Sequence, residues 1–137
     1  MFHDIAGHEE LTDAIIGSGI RVHESLGPGL LESVYRSCMA IELTSSGFVV
    51  DATRRVSLKY RGEDIGATFC PDLIVNDTVI IELKAVEQLA PVHQAQLVTY
   101  LKLTRLPVGL LMNFNVDLLK HGIRRVVRPD LYVKSQK

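Results

Sequence analysis

The sequence predicts an α+β fold of helices and a β-sheet, and three observations lead there. Apolar residues recur at helical spacing up to residue 47, then give way to β-branched runs broken by turn clusters. Helical spacing returns near residues 90–103, and two further strand-like runs follow. Helices first, then a sheet, then a helix laid on it, is a layered α+β order.

Residues 9–26, "EELTDAIIGSGIRVHESL", place Leu11, Ile15, Ile16, Ile20, Val22 and Leu26 at roughly helical spacing. The "GPG" at 27–29 breaks the chain. A second helix is predicted from "LLESVYRSCMAIELTSSG", with Leu31, Val34, Tyr35, Cys38 and Ile41 as its apolar face and Gly47 as its stop. "FVVDA", "VSLKY", "ATFCPDLIV" and "TVIIELKAV" then read as an antiparallel meander. "APVHQAQLVTYLKL" is the third helix, with Pro91 suited to a first turn. "LPVGLLMNFN" and "HGIRRVVR" are the closing strands. No repeat, linker or low-complexity segment divides the chain, so one domain is expected over 1–137, with a core of about 9–128.

Composition narrows the function classes. The chain has 137 residues, 47% hydrophobic and 23% charged, which is the balance of a globular domain with a sizeable core. No signal-like segment opens it, and no apolar run approaches the roughly 18 residues of a membrane span, so the cytoplasm is the expected location. Cys38 and Cys70 are too few for a disulfide framework or a four-cysteine metal site, and are expected as small buried residues in a reducing compartment. The formal net charge is −1, so any polyanion surface has to be a local patch. His3, His8, His23, His93 and His121 show no zinc-site spacing, and His23 is expected on a helix surface.

One stretch stands out chemically. "PDLIVNDTVIIELKAV", residues 71–86, sets Asp72, Glu82 and Lys84 among strongly apolar strand residues. Burying unpaired charge is expensive, so these groups must meet one another, water or a ligand. Alternation along a strand sends Glu82 and Lys84 to one face. If Asn76, Asp77 and Thr78 form a three-residue hairpin loop, Val75 faces Val79 and Asp72 comes opposite Glu82. Opposed Cβ atoms lie about 4.5–5.5 Å apart, where like charges repel unless a cation sits between them. A two-residue loop would reverse the parity and separate the carboxylates. With the lysine one pleat further on, the face suits a magnesium-type ion and phosphodiester chemistry. The competing reading makes Glu82 and Lys84 ordinary charges on a solvated strand face.

These motifs resemble the PD-(D/E)xK nuclease superfamily: "PD" at 71–72, "ELK" at 82–84, and Gln96 and Tyr100 in the QxxxY spacing of its RecB-like branch. Gly29, Glu32 and Tyr35 of "GLLESVY" match the GxxExxY family, to which residues 11–128 are similar as a whole. The resemblance implies a restriction-endonuclease-like core, with a mixed β-sheet flanked by helices, and a site for Mg2+ or Mn2+. It implies Asp72, Glu82, Glu32 and the Leu83 carbonyl as metal ligands, Lys84 as the catalytic lysine, and Gln96 and Tyr100 as orienting residues. By the same analogy Asp72, Glu82 and Glu32 count among the catalytic groups.

Structural roles compete at the outlying positions. Tyr35 and Tyr100 would serve equally as core aromatics and Gln96 as a solvated neighbour, while Glu32 suits a helix N-terminus and Gly29 a turn. The basic residues Arg124, Arg125, Arg128, Lys134 and Lys137 would suit phosphates or a charged edge strand, and Arg54 and Arg55 share that ambiguity. The expected activity is metal-dependent nucleic-acid hydrolysis, with DNA the first candidate substrate and a homodimer as one way to reach both strands. The alternatives are a non-catalytic nucleic-acid- or protein-binding module of the same fold acting in a larger assembly, and a hydrolase for a small phosphate ester on the same metal site.

Overall fold

The computed structural model describes residues 2–134. Among the described residues three α-helices, α1 (Glu9–Leu26), α2 (Glu32–Ser45) and α3 (Pro91–Thr104), accompany nine strands. The strands are β1 (Phe2–Asp4), β2 (Val50–Asp51), β3 (Val56–Tyr60), β4 (Glu63–Phe69), β5 (Leu73–Val75), β6 (Val79–Lys84), β7 (Val108–Asn113), β8 (Ile123–Val127) and β9 (Tyr132–Lys134). The main sheet has the order β2-β5-β6-β7-β8. All its pairs are antiparallel except β6–β7. A parallel pair needs a long return connection, and α3 supplies it. The fold is α+β with a mixed sheet, as expected, and that sheet has five strands.

Each sheet face carries its own core. Ile81, Leu83, Leu110 and Met112 point towards the layer of α1 and α2, where they meet Ile15, Tyr35 and Met39. Ile74, Ile80, Leu111 and Val126 point the other way, onto Leu97, Tyr100 and Leu101 of α3. Every residue of β7 is buried, as expected for a strand inside a sheet covered on both sides. Gly109 on β7 lets α3 come close: a Cβ there would stand 2.7 Å from Leu97 Cδ1. None of the described helices is long and apolar enough to cross a membrane.

Several local expectations are corrected. The predicted strand 67–75 is divided at Cys70-Pro71, because proline has no N–H to give a ladder. Its first half joins β3 in a separate two-stranded ribbon, so the meander leaves the main sheet between β2 and β5. β1 and β9 pair with each other, a contact between distant segments that the local pattern did not signal. In α2 the buried stripe is Tyr35, Met39 and Leu43, while Leu31 and Ile41 are 73% and 67% exposed. The winning stripe stacks Tyr35 on Phe114 at 4.5 Å and sends the Tyr35 hydroxyl to the Gly27 carbonyl at 2.6 Å.

The cysteines are also less buried than expected, Cys38 half-buried and Cys70 exposed. His23 is buried rather than on the surface, its Nε2 lying 3.1 and 2.8 Å from the carbonyls of Phe114 and Val116.

Candidate functional site

The β5–β6 hairpin carries the acidic pair. Val75 pairs with Val79, Ile74 with Ile80 and Leu73 with Ile81, so the loop is Asn76, Asp77 and Thr78. Asn76 and Asp77 adopt φ of 52° and 49°, a left-handed conformation their short polar side chains tolerate. The Thr78 amide closes the turn on the Val75 carbonyl at 3.0 Å. Asn76 is tied to Val49 through both its amide and its side-chain oxygen, and Arg54 reaches Asp77 Oδ1 at 2.6 Å. The odd loop length is thereby fixed, and one further step in register sets Asp72 across from Glu82.

The strands part at this step, and the two acids brace the gap. The Asp72 amide donates to Glu82 Oε1 at 3.0 Å, and the Leu83 amide donates to Asp72 Oδ2 at 2.8 Å. Glu82 is only 6% exposed. Burial first, and then the negative charge of Asp72, push its carboxyl up to about 8. The Lys84 ammonium acts in the opposite direction on the same group. Alternation along β6 puts Glu82 and Lys84 on the Ile80 face, towards α3, and Leu83 on the other.

Tyr100 reaches this pair from α3. It is buried, tilted against Phe69 at 5.8 Å, and its phenol is pushed up by burial and then by the charges of Glu82 and Asp72. Gln96 lies one turn earlier on α3 and is exposed. Pro91 takes the first turn, and His93 Nδ1 accepts the Ala90 amide at 3.0 Å, which anchors the start of α3.

Glu32 stands apart from the acid pair. It is the first residue of α2 and is exposed. Arg36, one turn further along α2, is the residue that meets Asp72, with Nη1 3.7 Å from Oδ1. Among the described residues no three Asp, Glu, His or Cys side chains gather as a metal-ligand cluster. The structure thus brings together Asp72, Glu82, Leu83, Lys84 and Tyr100, while Glu32 and Gln96 are exposed on their helices. The chemistry of the pair still fits a hard divalent cation. Magnesium takes one or two protein carboxylates and fills its remaining positions with water and phosphate. Burial and then the negative charge of Asp72 oppose ionisation of Glu82, and a cation bound between the two carboxyls would favour it.

Two neighbours of the site escaped sequence reasoning. Asn113, the register partner of Lys84, is buried. Its Oδ1 accepts the Val86 amide at 3.0 Å and its Nδ2 donates to the Val86 carbonyl at 2.9 Å, so it copies a strand partner just past Lys84. The signal for it was a lone amide inside the apolar run "GLLMNF". Arg36 gave no signal beyond its four-residue spacing from Glu32.

The basic run is largely engaged within the chain. Arg125 binds Asp4 and the Gly7 carbonyl, Arg128 binds Asp130, and Arg54 bridges Asp51 and Asp77. β8 is a sheet edge, as its charges suggested. Lys137 lies outside the described residues.

The family model described as the PD-(D/E)XK nuclease superfamily matches residues 9–126. No curated protein and no solved structure matches the chain.

Proposed function

The chain belongs to the PD-(D/E)XK nuclease superfamily, and from that premise we propose that it is a divalent-metal-dependent nuclease hydrolysing nucleic-acid phosphodiesters. The observation that supports this most is the reciprocal bracing of Asp72 and Glu82 beside Lys84. In this reading Asp72 and Glu82 hold Mg2+ or Mn2+, with the Leu83 carbonyl as a further oxygen. Glu32 joins through water or on substrate binding, since it is exposed at the start of α2. When bound, the ion supplies positive charge to the phosphate and acidifies a water molecule. Lys84 offers its ammonium to the charge that develops on the phosphate oxygens. Tyr100 orients Lys84 and, with Gln96, the nucleic-acid backbone.

The finer assignment is to the GxxExxY family and the RecB-like branch, supported by Gly29, Glu32 and Tyr35 and by the Gln96–Tyr100 spacing. We further propose a single nuclease domain over 1–137, with a core of about 9–128, working in the cytoplasm on DNA, with pairing of two copies as the route to both strands. A second reading, a non-catalytic nucleic-acid-binding module, is favoured by one observation: Glu32 stands away from the pair and Arg36 takes the side of Asp72. Incubation with single- and double-stranded DNA and RNA, in manganese or in chelator, separates the two. Cleavage only with manganese supports the nuclease. Retention of nucleic acid with no cleavage under any condition would leave the binding module.

A further inference from the structure

Arg36 occupies the place at Asp72 that a metal ion would contest. Its guanidinium lies 3.7 Å from Asp72 Oδ1, while Asp72 Oδ2 is committed to the Leu83 amide at 2.8 Å. Glu32 lies four residues earlier on α2, at a spacing that favours an ion pair along a helix. No bond joins the two among the described residues, and Arg36 instead crosses to the sheet. Its side chain is 49% exposed, so one flank rests at the acid pair and the other faces solvent. An ion pair of this length, with its cationic partner half in solvent, is weak and easily given up.

Resting on the nuclease reading above, we propose that Arg36 is a phosphate-binding residue of this site, parked on Asp72 until a divalent cation takes that carboxylate. A dication at Asp72 places like charge beside the guanidinium and drives it outward. There its planar fork matches the non-bridging oxygens of a phosphodiester, which it holds beside the acid pair. The same side chain thus lowers metal affinity in the free protein and raises nucleic-acid affinity in the metal-loaded one. A residue with a merely structural role would shift both affinities in the same direction.

The test compares wild type, Arg36→Ala and Arg36→Lys. Manganese affinity is read by the free-ion paramagnetic signal, and binding of a fluorescein-labelled DNA duplex by anisotropy in calcium over a salt series. Arg36→Ala is expected to bind manganese about 3- to 10-fold more tightly, since a competing cation is gone. Its duplex affinity should fall about 10-fold, and the slope of log affinity against log salt should shrink by about 0.9, one phosphate contact. Arg36→Lys should keep the slope while losing part of the affinity, because the ammonium retains charge without the fork. Manganese and duplex affinities falling together in Arg36→Ala, or an unchanged salt slope, would overturn the proposal while leaving the nuclease reading intact. Should Arg36→Ala fail to fold, Arg36→Lys decides alone, and unchanged duplex affinity in it counts against the proposal. A wild type that takes up neither manganese nor duplex overturns both.

Discussion

Asp72 and Glu82 hold each other's strands: the amide of Asp72 donates to the Glu82 carboxylate, and the Asp72 carboxylate accepts the amide just beyond Glu82. Backbone pairing of β5 with β6 stops at Leu73–Ile81, and these side-chain bonds take over where the ladder ends. Two acids that would repel if held opposite one another thus each gain an amide donor. Burial, and then the residual repulsion from Asp72, keep Glu82 protonated well above the usual carboxylate range.

Stability should therefore fall as pH rises. A folded pKa of about 8 against an ordinary 4.5 means that the native state holds this proton more tightly than the unfolded chain. Below about 4.5 both states are protonated and the group contributes nothing. Between about 4.5 and 8 the unfolded chain releases the proton while the fold retains it, and the native state loses relative stability throughout that window. Above about 8 the loss is complete. Glu82→Gln keeps an oxygen for the Asp72 amide and removes the titration. Urea melts from pH 5 to 9 should show a decline in wild type that is markedly shallower in the variant. Equal slopes would show that Glu82 titrates normally.

Metal uptake should follow the same group. A cation needs the ionised carboxylate, so manganese affinity should rise with pH up to about 8 and level off beyond it. Manganese at a hundredfold excess over Kd should add about 2.7 kcal/mol of stability, seen as a higher Tm. Asp72→Asn should blunt that rise. A Tm indifferent to millimolar manganese at pH 8 would mark the acids as a structural brace.

Catalysis should depend most on Lys84 and Glu82. Loss of a group that stabilises charge at the reacting phosphate typically costs about 100- to 1000-fold in kcat. Lys84→Ala and Glu82→Gln are expected in that range, with manganese present and the fold retained by circular dichroism. Tyr100→Phe should cost about 10-fold or less, because its proposed role is orientation. A loss in Tyr100→Phe as deep as in Lys84→Ala would assign the phenol to the chemistry itself.

Asn113 should matter to stability before it matters to rate. Its carboxamide satisfies both the amide and the carbonyl of Val86. Asn113→Ala leaves those groups without partners, at about 1–3 kcal/mol for each that stays buried. Asn113→Asp retains an acceptor but loses the donor to the Val86 carbonyl and adds a charge. Chemical denaturation should find both variants destabilised. A near-neutral Asn113→Ala would mean that water replaces the side chain without cost.

Short-range counting along the chain was enough to place the acid pair. Strand alternation and the odd length of the 76–78 loop set Asp72 against Glu82 and Lys84 beside it, because side-chain parity in a hairpin follows from the loop alone. The alternation of helical and strand periods likewise made the helix order and the α+β class legible. Everything that depends on how elements lie across one another came from packing. In α2 the sequence offers two apolar stripes that share Tyr35, and only docking against Phe114 selected the one with Met39 and Leu43. That choice of rotation and tilt brings Arg36 to Asp72 and leaves Glu32 exposed, although the residues are one turn apart. Asn113 acquired its role only once β7 lay parallel to β6 with Val86 just beyond its end. Spacing along a chain fixes which residues share a face. Which face meets which is settled by packing, and packing is a property of the whole sheet and both of its helical layers.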